Sequence, residues 1–372
     1  MLLLRRVAPL LAALVAVLAL VELSVFLGVE TGLIRGVQRP SYGPDAYWWG
    51  DHPELGVWRH PDARFAHHSP CFDVSYHTNS VGARDTERSR DERAPRVVVL
   101  GDSFLEGWGV HDPERLSNRL EVATGIEHLN FAMPHFSPYQ ELLAYQTVAK
   151  NFEHDAVLIG ILPANDFIDG DLDLASTVPL YEYRYRPYLV GRMPPYERFD
   201  LHEPPVRHAL RTHSYAFNAL LRAISIWQAP AASLVPDGAA RRAPSWFYDY
   251  DAAQLQRLAW TIAALAREAG DRPVTVLLIP VLDDFQRQQL SGPNPLAPQL
   301  AALTASAGVK VVDLLPAMSA PVAAWRRYFF SCDYHWNAEG NQVAFERGFA
   351  ALRRDLYDGL GARRTDRPLQ KP

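Results

Sequence analysis

Residues 97–100 read Val-Val-Val-Leu, and Gly101-Asp102-Ser103 follow without a break. Four apolar residues, three of them β-branched, suit a strand covered on both faces. Gly101 ends that strand and leaves Asp102 and Ser103 at its carboxyl end, the edge where open α/β sheets gather reactive groups. The alternation then continues. Strands are predicted over 95–100, 127–131, 156–161, 274–282 and 309–314, and helices over about 112–122, 138–151, 250–269 and 337–356. Asp112-Pro113-Glu114 and Ser137-Pro138 supply two of the helix starts. Strands alternating with helices imply right-handed crossovers and a parallel sheet. The expected class is α/β: a three-layer α/β/α sandwich with a central parallel sheet of about five strands, preceded by one transmembrane helix.

That leading helix is read from Arg5-Arg6 and the stretch Val7 to Leu27, apolar but for Pro9, Glu22 and Ser24. About 20 apolar residues cross a bilayer. No small-x-small cleavage site follows the stretch, and cutting at Val17-Leu18-Ala19 would shorten it, so an uncleaved anchor is expected ahead of a cleaved signal or a buried soluble helix. Glu22 stands against a clean span, since a carboxylate deep in lipid is costly, but it lies toward one end. Arginines before the segment favour a cytoplasmic amino terminus, with Arg35 and Arg39 weakening the contrast. The main domain then faces the periplasm from the inner membrane, or is exported if the segment is cleaved. In that compartment a disulfide between the two cysteines, Cys71 and Cys332, becomes possible, the alternative being two buried thiols. It would clamp the segment before the sheet onto the loop that carries Asp333 and His335.

The net charge of -5 and the lack of a long basic run speak against a general nucleic-acid binder. With no Cys-x-x-Cys pair, a structural zinc site is not expected. The organisation expected is an anchor over 1–36, a lead-in over 37–94, a main domain over 95–360 interrupted by an insertion at about 170–248, and a polar tail over 361–372. The lead-in has strand-like pieces near 55–59 and 72–78 and a turn at Asn79-Ser80-Val81-Gly82. Its five histidines, at 52, 60, 67, 68 and 77, lack ligand-like spacing and are read as solvated or structural. Within the insertion, 181–188 is aromatic and basic, 206–227 is helical in pattern, and 229–244 is a Pro/Ala-rich loop. The Tyr and Arg residues suit stacking on sugar rings, holding anionic groups, or packing the insertion against its own sheet.

A serine hydroxyl becomes a nucleophile when a base takes its proton, which a histidine does near neutral pH with a carboxylate fixing its tautomer. Ser103 meets that need if His335 reaches it. Asp333 stands two residues before His335, and on a loop its carboxylate can fold back to the ring Nδ1. Each piece alone has a plain reading: a helix cap for Ser103, solvation for Asp333 and His335. An oxyanion needs donors as well. Asn165, after the third strand, is one candidate, with an Asn-Asp turn as its plain reading; the Ser103 N–H is a second, and the loop Asn130 to His135 offers a third.

These residues resemble the SGNH (GDSL-type) hydrolase superfamily of serine esterases. Gly101-Asp102-Ser103-Phe104 matches its first block, Asn165-Asp166 its third and Asp333-Tyr334-His335 its fourth, the short Asp-x-His-Trp form being similar to the branch that includes alginate O-acetyltransferase-type proteins. In the second block, usually Asn-x-Gly-x-x-Gly, Asn130 is present but Ala132 and His135 replace the glycines. Thr78 to Asp85 is also similar to the segment ahead of the first block in exported members. The resemblance implies a flavodoxin-like fold, Ser103 as nucleophile, His335 as base, Asp333 as its orienter, and Ser103, Asn165 and His135 as oxyanion donors. No metal or organic cofactor is implied. The implied partner is an acylated envelope glycan or another small ester, with the membrane bound through the leading helix and the oligomeric state open. Removal of acetyl or another short acyl group is the first reading. O-acetyl transfer to a polysaccharide, a lysophospholipase-like activity, and a non-catalytic glycan-binding or assembly module are the others; His135 favours the last.

Overall fold

A computed structural model describes residues 2–34, 49–91, 94–177, 185–228, 245–319 and 322–358, with 37, 40 and 360 besides. The chain divides into two compact units, one made of 1–48, 178–182 and 202–239, the other of 49–177, 183–201 and 240–372.

In the larger unit, five strands form one parallel sheet: β1 Arg96–Leu100, β2 Glu127–Asn130, β3 Ala156–Ile161, β4 Val274–Leu278 and β5 Lys310–Asp313. Their order is β2-β1-β3-β4-β5. Every residue of β1, β3 and β4 is buried, which is why these runs, apart from Arg96 and Thr275, are apolar rather than alternating. The strand order reverses between β1 and β3. At such a switch point the connections leave to opposite faces, and a crevice opens beyond the carboxyl ends of the strands. The expected α/β class with a five-stranded parallel sheet therefore holds.

The boundaries differ where local chemistry overrides periodicity. The fourth strand stops at Leu278, not 282: Pro280 lacks an N–H for the ladder, and Asp284 accepts the Val281 N–H at 2.8 Å to start a helix, Leu282–Ser291. That helix and Leu296–Thr304 were not predicted. The 112–122 helix is a 3-10 turn over Asp112–Glu114 and then an α-helix over Leu116–Thr124. Arg115 between them is extended, and its buried guanidinium donates to Arg84 O at 2.5 Å. The helices Pro138–Thr147 and Ala252–Ala269 start on Ser137 and Asp251, each accepting the N–H three residues on.

The lead-in forms two antiparallel hairpins, Trp49–His52 with Gly56–Arg59 and Arg64–Ser69 with Phe72–His77. The turn at 79–82 closes with Gly82 N–H on Asn79 O at 2.9 Å. Gly82 has φ 79°, and a Cβ there would lie 2.5 Å from Arg59 O, so no other residue fits. Two buried arginines tie this segment to the turn after β1. Arg59 pairs with Glu106 at 2.7 Å, and Arg84 donates to the carbonyls of Glu106, Gly107 and Val110.

The smaller unit holds the helix Leu2–Glu30, whose Ala8–Glu30 portion is long and apolar enough to cross a membrane, together with helices Pro205–His213 and Tyr215–Gln228. The predicted 206–227 helix is thus two, parted at extended Ser214, whose Oγ accepts the Phe217 N–H at 3.0 Å. Of the aromatic and basic run, Arg186 is buried in the larger unit, 3.2 Å from Asp169. Residues 181–184, the 229–244 loop and the 361–372 tail lie outside the described residues.

Candidate active site

Gly101 follows β1 with φ 153°, and a Cβ on it would press within 3.1 Å of the Leu105 side chain. The chain turns there into a one-turn helix, Ser103–Glu106, capped by Asp102, whose Oδ1 accepts the Phe104 N–H at 3.0 Å. Ser103 is the first helical residue, so its N–H belongs to the open first turn. The residue is 1% exposed.

The carboxyl-terminal partner comes from the loop before the helix Ala338–Leu352. Phe330 N–H donates to His335 O at 3.0 Å and Asn337 N–H to Tyr328 O at 2.9 Å, closing the loop on itself. Asn337 caps the helix through Gly340 N–H, and its amide holds Phe329 O at 3.0 Å. Cys71, in the two-residue turn of the second hairpin, is bonded to Cys332, one residue before Asp333.

His335 Nε2 lies 2.7 Å from Ser103 Oγ, and His335 Nδ1 lies 2.5 Å from Asp333 Oδ1, which also accepts the His335 N–H at 2.9 Å. An ionised carboxylate only accepts, so Nδ1 carries the ring proton and Nε2 is left to accept from the serine hydroxyl. Trp108 Nε1–H donates to the other oxygen, Asp333 Oδ2, at 3.2 Å, and its ring stacks on His335 with centroids 5.3 Å apart. Burial pushes the Asp333 carboxyl up, but hydrogen bonds and charge from His335, with the Trp108 donor, outweigh it and leave it below the usual carboxylate range.

Asn165 lies in the helix Pro163–Asp169 that follows β3, across the switch point from Ser103. Its Nδ2 donates to Asp102 Oδ2 at 3.2 Å, and that oxygen lies 3.5 Å from Ser103 Oγ. One amide hydrogen is thus held by Asp102 and the other remains for a second acceptor. Burial raises Asp102 to about 6, with the Phe104 N–H, His335 and the Asn165 amide opposing it. His135 occupies the left-handed region with φ 59°, a conformation glycine adopts most easily and histidine more readily than most residues. Its carbonyl accepts from Arg186 Nη1 at 2.5 Å. Burial, then the charges of Arg186 and His335, hold its imidazole well below the ordinary histidine range, so the side chain is neutral. Asn130 is not aimed at Ser103: its amide donates to Leu105 O and Ser117 Oγ, and its Oδ1 accepts the Ala132 N–H.

The structure thus brings Ser103, His335 and Asp333 into one hydrogen-bonded chain, with Asn165 linked to it through Asp102. Sequence reasoning missed Trp108 and Glu141, and placed Arg186 only within an aromatic and basic run. Trp108 sits five positions past Ser103 with no motif to mark it. Glu141 is fully buried in the helix after β2, and its carboxyl is pushed well above the usual range by burial and then by Asp102.

A serine, a histidine and an aspartate are thus joined at the carboxyl edge of the parallel sheet of an α/β protein. Residues 248–368 match the family described as "SGNH hydrolase-like domain, acetyltransferase AlgX", a span that includes Asp333 and His335 but not Ser103 or Asn165. The match covers the last third of the chain and marks that part as similar to an SGNH hydrolase-like domain of AlgX type. Among solved structures, the chain is similar to a member of the lipolytic protein G-D-S-L family from Veillonella parvula, at 13% identity and TM-score 0.38, covering 70% of this chain and 100% of that one. It is also similar to the lipase/acylhydrolase from Enterococcus faecalis, at 13% and 0.34, covering 70% and 96%. A third likeness is to the psychrotrophic esterase EstA from Pseudoalteromonas sp., at 9% and 0.36, covering 70% and 97%. Comparison with curated proteins gave no match.

Proposed function

We propose that the chain is a serine enzyme that takes a short acyl group, acetyl foremost, from an ester of a cell-envelope glycan or a similar carrier. The single observation that carries this reading is the Ser103 Oγ to His335 Nε2 distance of 2.7 Å, with Asp333 on the far ring nitrogen. Ser103 Oγ attacks the ester carbonyl while its proton passes to Nε2, and the Asp333 carboxylate stabilises the imidazolium that results. The Ser103 N–H, the second hydrogen of Asn165 Nδ2 and the His135 N–H are the donors for the oxyanion. His335 returns its proton to the leaving alcohol, and a second hydroxyl, from water, attacks the acyl-enzyme.

A second reading changes only that last hydroxyl. The match to a family described as an acetyltransferase favours a sugar hydroxyl as acceptor, giving O-acetyl transfer. Both readings place the protein in the inner membrane through its leading helix with the site in the periplasm. The Cys71–Cys332 bond supports that compartment, since stable disulfides belong to oxidising environments.

The test uses the full chain in detergent and its Ser103→Ala variant. A fluorophosphonate probe should label the parent and not the variant, and release of acetate from a chromogenic acetyl ester should follow the same pattern. A folded parent that neither labels nor hydrolyses overturns the reading. An added oligosaccharide that takes up the acetyl group at the expense of free acetate selects transfer; unchanged acetate release selects hydrolysis.

A further inference from the structure

Helix Pro205–His213 wears its polarity the wrong way round for water. Val206 is 73% exposed and Leu210, one turn on, 42%, with Ala209 exposed between them. The basic and imidazole side chains instead turn inward on a single carboxylate: Arg207 reaches Glu203 at 3.0 Å, Arg211 at 2.9 Å and His208 at 3.2 Å. A helix lying on a water-facing surface buries the apolar stripe and exposes the charges. The next helix, Tyr215–Gln228, continues the pattern. Leu220 is 54% exposed and Trp227, seven positions on and on the same face, 84%.

The position of this pair is fixed by its neighbour. Glu22, inside the apolar Ala8–Glu30 segment, accepts from Ser214 Oγ at 2.8 Å and from the N–H groups of Tyr215 at 2.6 Å and Ala216 at 3.1 Å. The Tyr215 hydroxyl donates to Glu30 at 2.9 Å, and its ring meets Phe26 edge-on at 5.2 Å. The carboxylate that sits awkwardly in an apolar span is thus satisfied by the open amino-terminal turn of Tyr215–Gln228, where negative charge is favoured. Eight residues separate Glu22 from the end of the span, roughly 12 Å along a helix axis. The junction of the two helices at Ser214 therefore meets the span within its apolar length, on its carboxyl-terminal half. Exposed Leu23, Phe26 and Leu27 of the span make that apolar surface continuous with lipid-facing residues.

We propose that helices Pro205–His213 and Tyr215–Gln228 form a second membrane-contacting element, lying beside the carboxyl-terminal half of the leading helix in a phospholipid bilayer with Val206, Leu210, Leu220 and Trp227 toward the acyl chains. This rests on the leading helix being a membrane anchor. Such an element holds by the apolar area it buries against lipid. It also accounts for the inward Arg–Glu cluster, which keeps the charges off the lipid face.

The experiment places the full chain and its Trp227→Phe variant in vesicles of phosphatidylcholine and phosphatidylglycerol, with and without bromine on the acyl chains. The difference between the two emission spectra isolates Trp227. Quenching of most of that difference by brominated lipid, with little quenching by acrylamide in the water, supports the assignment. A difference that acrylamide quenches and brominated lipid does not, or that neither quenches because a second copy or another protein covers the face, overturns it. Leu220→Trp on the Trp227→Phe background repeats the measurement from the other exposed position and must give the same result. Flotation of the same samples separates the two levels: chains that stay behind overturn the anchor and this assignment together, whereas chains that float with a lipid-insensitive Trp227 overturn this assignment alone.

Discussion

Trp108 and Asp333 are 225 positions apart in sequence, yet the indole Nε1–H of one donates to the Oδ2 of the other at 3.2 Å while Oδ1 faces His335 Nδ1 at 2.5 Å. Both oxygens of the carboxylate are therefore committed, and its plane cannot turn without breaking a bond. A histidine base is only as well aimed as the group that orients it.

Trp108→Phe keeps an aromatic ring against His335 and removes only the donor. A hydrogen bond to a charged group is worth about 1.5–3 kcal/mol, so kcat should fall roughly 10- to 100-fold with KM nearly unchanged. The donor favours the ionised carboxylate, so losing it raises the Asp333 pKa from its depressed position, and the acid limb of the kcat profile should move to higher pH. A pH–rate profile on the acetyl ester checks both; an unmoved limb would make the tryptophan a packing residue only.

Asp333→Asn preserves the size of the side chain but gives Oδ1's position to either an oxygen or an N–H. Where the N–H faces the ring, His335 must accept at Nδ1 and carry its proton at Nε2, the tautomer that cannot take a proton from Ser103. A fall in kcat on the order of 10⁴ is expected, and the rate of fluorophosphonate labelling should fall by the same factor. Equal labelling rates in parent and variant would mean that Asp333 does not set the tautomer.

The parts of the fold that sequence made legible are those where one physical signal dominates. β1, β3 and β4 are apolar but for Arg96 and Thr275 because the sheet is buried on both faces, and Ser137 caps a helix where a polar side chain precedes a periodic run, whereas Asp251 and Asn337, expected inside their helices, turn out to be the caps. Ser103, Asp333 and His335 were legible through motif and sheet edge together. What stayed hidden depends on contacts far apart in sequence. The Arg115 break comes from a guanidinium that must reach Arg84, and Asn165 is held by Asp102, which no spacing rule encodes. His135 was readable as a departure from a glycine, but only the backbone shows that it keeps the glycine's left-handed conformation. Glu22 read as a fault in the span because the helix that uses it lies 193 positions away.

Replacing both cysteines, Cys71→Ser with Cys332→Ser, opens a loop whose ends are 261 residues apart. Closing so long a loop contributes about 4–5 kcal/mol in the chain-entropy model. The bond also anchors the residue next to Asp333, so activity should suffer before the fold does. At moderate temperature, kcat should drop several-fold while far-ultraviolet circular dichroism is retained, and the midpoint of thermal unfolding should fall. The parent should respond to a reductant in the same way, and the double variant should not respond at all.

Asp284 supplies a pH dependence of stability with a definite sign. It is buried at the start of the helix Leu282–Ser291, accepting from Ser245 Oγ at 2.6 Å and Val281 N–H at 2.8 Å. Burial raises its carboxyl to about 7 despite those two donors, with Asp283 and Asp313 adding to the rise. The folded state therefore favours the neutral acid. Its contribution is fully present below the unfolded value near 4 and is lost as pH rises toward 7, on the order of 2–4 kcal/mol across that window. Asn in its place is neutral at every pH, still accepts the Val281 N–H, and can donate to a Ser245 hydroxyl that reverses its role. Asp284→Asn should therefore flatten the decline in denaturant midpoint between about pH 4 and about pH 8 and be relatively more stable than the parent at the upper end. Parallel slopes in parent and variant would show that Asp284 ionises in the folded chain as it does in the unfolded one.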